Sequence, residues 1–183
     1  MPRAAVHKQN LVRTAMRLFR RQGYASTGLQ QILAESGAPK GSLYHYFPNG
    51  KEAIGEAAVE LAGASMRETL ERLARSHRDP RAFARAWCKV LAGWMEESGF
   101  RSGCPIATTL LETAPVSPAI TAAGARAIDG WIEVIAGVLA RDGGGPREAE
   151  QRAQLLVAAM EGALLLARVR RSGAPILDVA KLV

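Results

Sequence analysis

Proline and glycine interrupt this chain at helix-length intervals, and the segments between the interruptions repeat their apolar residues every three or four positions. Together these features point to an all-α fold, because an amphipathic helix follows a 3.6-residue period whereas a half-buried strand alternates strictly. Composition agrees: Ala, Leu, Arg and Glu dominate, only 5% of residues are aromatic, and the strand-favouring runs of Val, Ile and Thr are missing. At 183 residues there is room for two small, closely packed modules.

The breaks predict nine helices. The first runs from Val6 to Gln22, with Leu11, Ala15, Leu18 and Phe19 on one stripe, Arg20 and Arg21 in the last turn, and Gly23 as the stop. Thr27 followed by Gln30 reads as a capping box opening a short helix to Ser36, which Gly37 ends. Pro39 suits the first turn of a third helix carrying Lys40 to Phe47, and Asn49 with Glu52 repeats the cap pattern before a long fourth helix to about Arg75. Further starts fall at Asp79-Pro80, Cys104-Pro105 and Ser117-Pro118. Asp142-Gly143-Gly144-Gly145-Pro146 is a linker into a helix from Arg147 to Arg171; Gly173 and Pro175 end it, and a short helix from Ile176 to Val183 follows.

Charge divides the chain unequally. The net charge is +7, yet residues 1–51 hold eight Lys or Arg against the single acid Glu35, which leaves sixteen of each sign beyond. A basic first quarter on a neutral body suits a polyanion; on charge alone DNA, RNA, anionic lipid or a merely solvated face all fit.

The third helix narrows this. Leu43 and Phe47, four apart, face a core with Ile32, Leu33 and Phe19, turning Lys40, Gly41, Tyr44 and His45 to solvent. Two short helices joined by a Gly-containing turn, preceded by an amphipathic helix, make the layout of a helix-turn-helix reader. The string Gly37-Ala38-Pro39-Lys40-Gly41-Ser42-Leu43-Tyr44-His45-Tyr46-Phe47 resembles the recognition-helix signature of TetR/AcrR-family regulators, and Phe47-Pro48-Asn49-Gly50-Lys51-Glu52 resembles the junction into their fourth helix. One extra residue before Lys51, with Ser102-Gly103-Cys104-Pro105-Ile106 and Leu111-Glu112, is similar to the LmrA/YxaF-like subgroup.

The resemblance implies an N-terminal three-helix helix-turn-helix domain, residues 1–50, joined to a C-terminal helical ligand-binding and dimerisation domain, residues 51–183. It implies that Lys40, Gly41, Ser42, Tyr44 and His45 enter or rim the DNA major groove, and that Thr27, Tyr46 and Lys51 hold phosphates. Gly28 and Leu29 depart from the family's commoner Thr-Val. The implied function is a repressor that leaves a palindromic double-stranded operator when a small hydrophobic effector binds. For that effector, Trp87, Met95, Phe100, Cys104, Leu110, Trp131 and Met160 are the candidate wall, a set that would equally well fill a core. A homodimer would be built on the helix from Arg147, with Leu155, Leu156, Ala159, Gly162, Ala163 and Leu166 facing Ile128, Ile132 and Ile135.

Other classes fit less well. Gly143-Gly144-Gly145 lacks the Lys-Ser/Thr of a phosphate loop, the three histidines and two cysteines show no metal-ligand spacing, and no Ser lies in a nucleophile elbow, so neither catalysis, a cofactor nor a metal is expected. Cys88 and Cys104 are expected as buried small residues rather than a disulfide framework, and no run of residues is long and apolar enough for a membrane span, so the expected location is cytoplasmic. A nonspecific architectural DNA binder would share the basic end without needing an aromatic-lined second domain.

Overall fold

A computed structural model describes residues 3–183, with side chains from Val6 onward. Among these residues the chain forms α1 (Arg3–Gln22), α2 (Leu29–Ser36), α3 (Lys40–Tyr46), α4 (Lys51–Ser76), α5 (Pro80–Glu97), α6 (Pro105–Thr113), α7 (Pro118–Leu139), α8 (Pro146–Arg170) and α9 (Ala174–Val179), with short 3-10 turns at Ala140–Asp142 and Ala180–Leu182. The Pro-led starts of α5, α6 and α7 fall where the sequence puts them. Asp79 caps α5 by accepting from the Ala82 amide at 2.7 Å, and Pro80 follows at the position where no amide hydrogen is needed. The last helix differs: Pro175 lies in the first turn of α9 rather than ending α8, and the linker shrinks to Gly143–Gly145.

The chain groups into two compact units, one made of residues up to Ala64 with Pro105–Ala127, the other of Ser65–Cys104 with Ile128–Val183. In the first, Leu11, Leu18 and Phe19 of α1, Ile32 of α2, Leu43 of α3, Phe47 and Ile54 of α4 form one buried cluster. Helices of eight and seven residues are too short to persist alone, so α2 and α3 exist because that cluster covers one side of each. On the far side of this unit α4 and α7 cross closely at Gly63, where a Cβ would lie 2.5 Å from that of Ala127; Arg126 and Glu60 pair across the same two helices at 2.9 Å.

In the second unit α5, α8 and α9 bury Phe83, Trp87, Leu91 and Met95 against Leu156, Val157, Met160, Ile176 and Val179. Arg141 closes the end of α4, its guanidinium reaching the carbonyls of Ala74 at 3.2 Å and of His77 and Arg78 at 3.4 Å. Of the residues expected to face a second copy, Leu156, Ala163 and Ile135 are instead buried within the chain, while Leu155 and Leu166 stay exposed. Leu165 and Val169 are exposed as well, at 63% and 73%. No described helix is long and apolar enough to cross a membrane.

Candidate nucleic-acid interface

The turn between α2 and α3 is built from its own residues. Gly37 takes the left-handed conformation at φ 65°, which releases the chain from α2, and the Ser36 hydroxyl accepts from the Ala38 amide at 3.2 Å. Buried Ala38 then sets Pro39 at the head of α3, where the Ser42 amide bonds to the Pro39 carbonyl at 2.9 Å. Leu43 and Phe47 point inward at 1% and 3% exposure. Lys40, Gly41, Tyr44 and His45 are exposed, Ser42 and Tyr46 half-buried, and the His45 and Tyr46 rings meet edge-on at 4.8 Å. A Cβ added to Gly41 would meet nothing within 4 Å. The chain's own packing therefore does not require glycine there, and the gap it leaves faces outward.

Glu35, the acid in this basic segment, is neutralised locally. Arg17 donates to it at 2.7 Å and Gln31 at 2.9 Å, and these hydrogen bonds hold its carboxyl below the usual range.

Two expected phosphate contacts are placed differently. Thr27 does not cap α2; Gly28 occupies that position, and the fully buried Thr27 hydroxyl donates back to the Gly23 carbonyl at 2.7 Å while its amide bonds to Tyr24 at 3.1 Å. A hydroxyl can cap forward or bond backward, and here the tight turn at residues 24–27 claims it. Similarly, the cap position before α4 is Gly50 rather than Asn49, with the Ile54 amide bonding to Gly50 at 3.3 Å. Lys51 is half-buried: its amine donates to the Ala25 carbonyl at 3.2 Å and lies 4.4 Å over the Tyr24 ring. Burial lowers its pKa, an effect opposed by the nearby Glu112 carboxylate. Glu112 itself accepts from the amides of Tyr24 at 3.2 Å and Ala25 at 2.5 Å, a contact that local sequence signals do not reveal because the partners are 88 and 87 positions away.

The candidate effector residues do not fall in one unit. Trp87, Met95, Trp131 and Met160 are buried in the second, and Phe100 and Cys104 are half-buried there. Leu110 belongs to the first unit, where its methyls cover Gly124. The Trp87 indole N–H is buried without an acceptor. Glu161 is partly buried and accepts from the Cys104 thiol; burial raises its pKa, and the Cys104 bond opposes that. Burial likewise pushes the Cys88 thiol up to about 11.

Residues 11–63 match the family described as bacterial regulatory proteins of the tetR family, and residues 80–182 match the transcriptional regulator LmrA/YxaF-like C-terminal domain. The Bacillus subtilis regulator YxaF is 33% identical over 95% of this chain and 91% of that protein, and LmrA of the same organism is 31% identical over 94% and 92%. Among solved structures, reduced Escherichia coli NemR superposes with a TM-score of 0.83 at 28% identity, covering 96% of this chain and 93% of that one. A regulatory protein TetR from Rhodobacter sphaeroides shares the fold, with a TM-score of 0.85 at 24% identity over 96% of both chains. Two family models that together match most of the chain, and relatives that match along nearly the whole chain and are regulators rather than enzymes, lead to one conclusion: this chain belongs to the TetR family of DNA-binding transcription regulators, in its LmrA/YxaF-like branch.

Proposed function

We propose that this regulator is a repressor that reads a palindromic operator as a homodimer and leaves it when a small hydrophobic effector binds its C-terminal helices. The division of labour is residues 1–50 for DNA and 51–183 for dimerisation and effector. The observation that carries DNA reading is the outward face of α3, where Lys40, Tyr44 and His45 surround a glycine whose missing side chain leaves room for a close partner. Lys40, Gly41, Ser42, Tyr44 and His45 enter or rim the groove, and Tyr46 and Lys51 take phosphates. The first-turn amides of α2, behind Gly28, stand in for the Thr27 hydroxyl.

Selection of duplexes from a random pool, followed by salt titration against scrambled duplexes, tests this reading. A specific reader prefers the selected sequence at every salt concentration, whereas equal affinity for both would leave only a nonspecific binder. Tyr44→Ala and His45→Ala should each weaken binding to the selected duplex by about 1 to 3 kcal/mol and leave scrambled duplexes almost unaffected. Lys51→Ala should weaken binding to both kinds of duplex and reduce the salt slope by about one. Unchanged affinity for the selected duplex in the first two variants removes those side chains from the groove.

Support for an effector comes from the second unit. An indole N–H buried without a partner costs stability that an acceptor atom of a ligand would recover, and Trp87 is such a donor. Glu161 gives a pH readout of the same unit. Its pKa is raised in the folded chain, so its stabilising contribution is full below the usual carboxylate value of 4.5 and is lost as pH rises through the folded value. Glu161→Gln, which keeps an acceptor for Cys104, should melt higher than the wild type at pH 8, with the gap closing as pH falls toward 4.5. A gap that instead widens in acid contradicts this.

A further inference from the structure

The segment that joins α1 to α2 is gripped from two directions. Within it, the Gly23 amide bonds to Phe19 at 3.0 Å and the Thr27 amide to Tyr24 at 3.1 Å, which leaves the amides of Tyr24 and Ala25 facing outward. Glu112, in the last turn of α6, supplies one carboxylate oxygen to each. From the other side Lys51 donates to the Ala25 carbonyl and covers the Tyr24 ring. Gly23 is fitted to the same contact twice over: its φ of 89° suits glycine alone, and a Cβ there would fall on the Glu112 carboxylate. Glu112 is on the exposed side of α6, whose buried residues are Ile106, Thr109 and Thr113, so its carboxylate is spent on the turn and not on seating its own helix.

We infer that Glu112 is a positioning residue for DNA reading. The turn it holds sets the direction in which α2 departs, and α2, through Ile32 and the Gly37 turn, sets the angle of α3. The inference rests on α3 being the DNA-reading helix. Electrostatics alone predicts the reverse sign for its removal. The segment around it carries the chain's whole positive excess, and deleting an acid beside a polyanion site ordinarily strengthens binding. A carboxylate that aids DNA binding from such a position does so through geometry.

The test compares Glu112→Ala with Glu112→Gln in the full-length protein, on the duplex that the wild type selects from a random pool. The alanine variant should bind about ten-fold more weakly, equivalent to about 1.4 kcal/mol, with the salt slope unchanged. The glutamine variant, which loses the same charge but keeps one acceptor oxygen for one of the two amides, should recover part of that loss. Amide exchange at Tyr24 and Ala25 should accelerate about ten-fold or more in Glu112→Ala while the melting temperature and the exchange of α5 and α8 stay at wild-type values. Affinity unchanged or increased in Glu112→Ala, equal losses in both variants, or unaltered exchange at the two amides each overturns the inference. Failure of the wild type to select any duplex would instead reject DNA reading by α3, and the amide exchange would still report on the clamp.

Discussion

Phe47→Ala should cost the first unit about 3 to 5 kcal/mol and strip amide protection from α1, α2 and α3, while α5, α8 and α9 keep theirs. Phe47 is 3% exposed, ends α3 through its amide bond to the Leu43 carbonyl at 2.9 Å, and belongs to the same buried cluster as Leu11, Phe19, Ile32 and Ile54. Its ring also lies 6.0 Å from the Lys8 amine, so its removal loosens the last turn of α3 and the start of α1 together. A whole domain is stable by only about 5 to 15 kcal/mol, and helices as short as α2 and α3 do not persist on their own once the cluster opens. Binding to the selected duplex should fall with the fraction of folded heads. Phe47→Leu keeps an apolar group of similar reach and should cost less than about 1.5 kcal/mol. Wild-type protection across α1–α3 in Phe47→Ala would mean that the cluster does not hold α2 and α3 in place.

What the sequence made legible was whatever is decided locally. Pro80, Pro105 and Pro118 begin helices because each puts a residue without an amide hydrogen where none is needed. Gly23 and Gly37 end helices because both adopt positive φ. The 3.6-residue period alone placed Leu43 and Phe47 inside and Lys40, Tyr44 and His45 outside. The misses share a different cause. Thr27 could cap forward or bond backward, and only the folded turn decides between them. Glu112 meets Tyr24 and Ala25 from 88 and 87 positions away, beyond the reach of any spacing rule. Leu156 and Ala163 were grouped with Leu155 and Gly162 because α8 is apolar on more than one face, and periodicity cannot say which apolar side the chain covers itself.

That second side of α8 yields the other large effect: Gly162→Lys and Gly162→Glu should each turn the protein into a monomer and lower its affinity for a two-half-site duplex by about 10² to 10⁴-fold. Leu155, Ala158, Gly162, Leu165 and Val169 are all exposed and recur at alternating spacings of three and four, the seam along which two helices pack side by side. Leu155 at 69% and Val169 at 73% are large apolar groups left in water by the chain's own fold, and a second copy of α8 offers them an apolar cover of matching period. Gly162 sits mid-seam, and a Cβ there meets nothing within 4 Å of the single chain. A side chain at that position therefore leaves the monomer intact and favours the helix by about 0.5 to 1 kcal/mol, so any loss of function comes from what the seam would otherwise touch. Using both signs of charge separates assembly from electrostatics, since added Lys attracts DNA and added Glu repels it. Sedimentation should show monomers for both variants, with wild-type affinity for a single half-site. Dimers that persist in either variant would place the two-fold contact on another surface of the molecule.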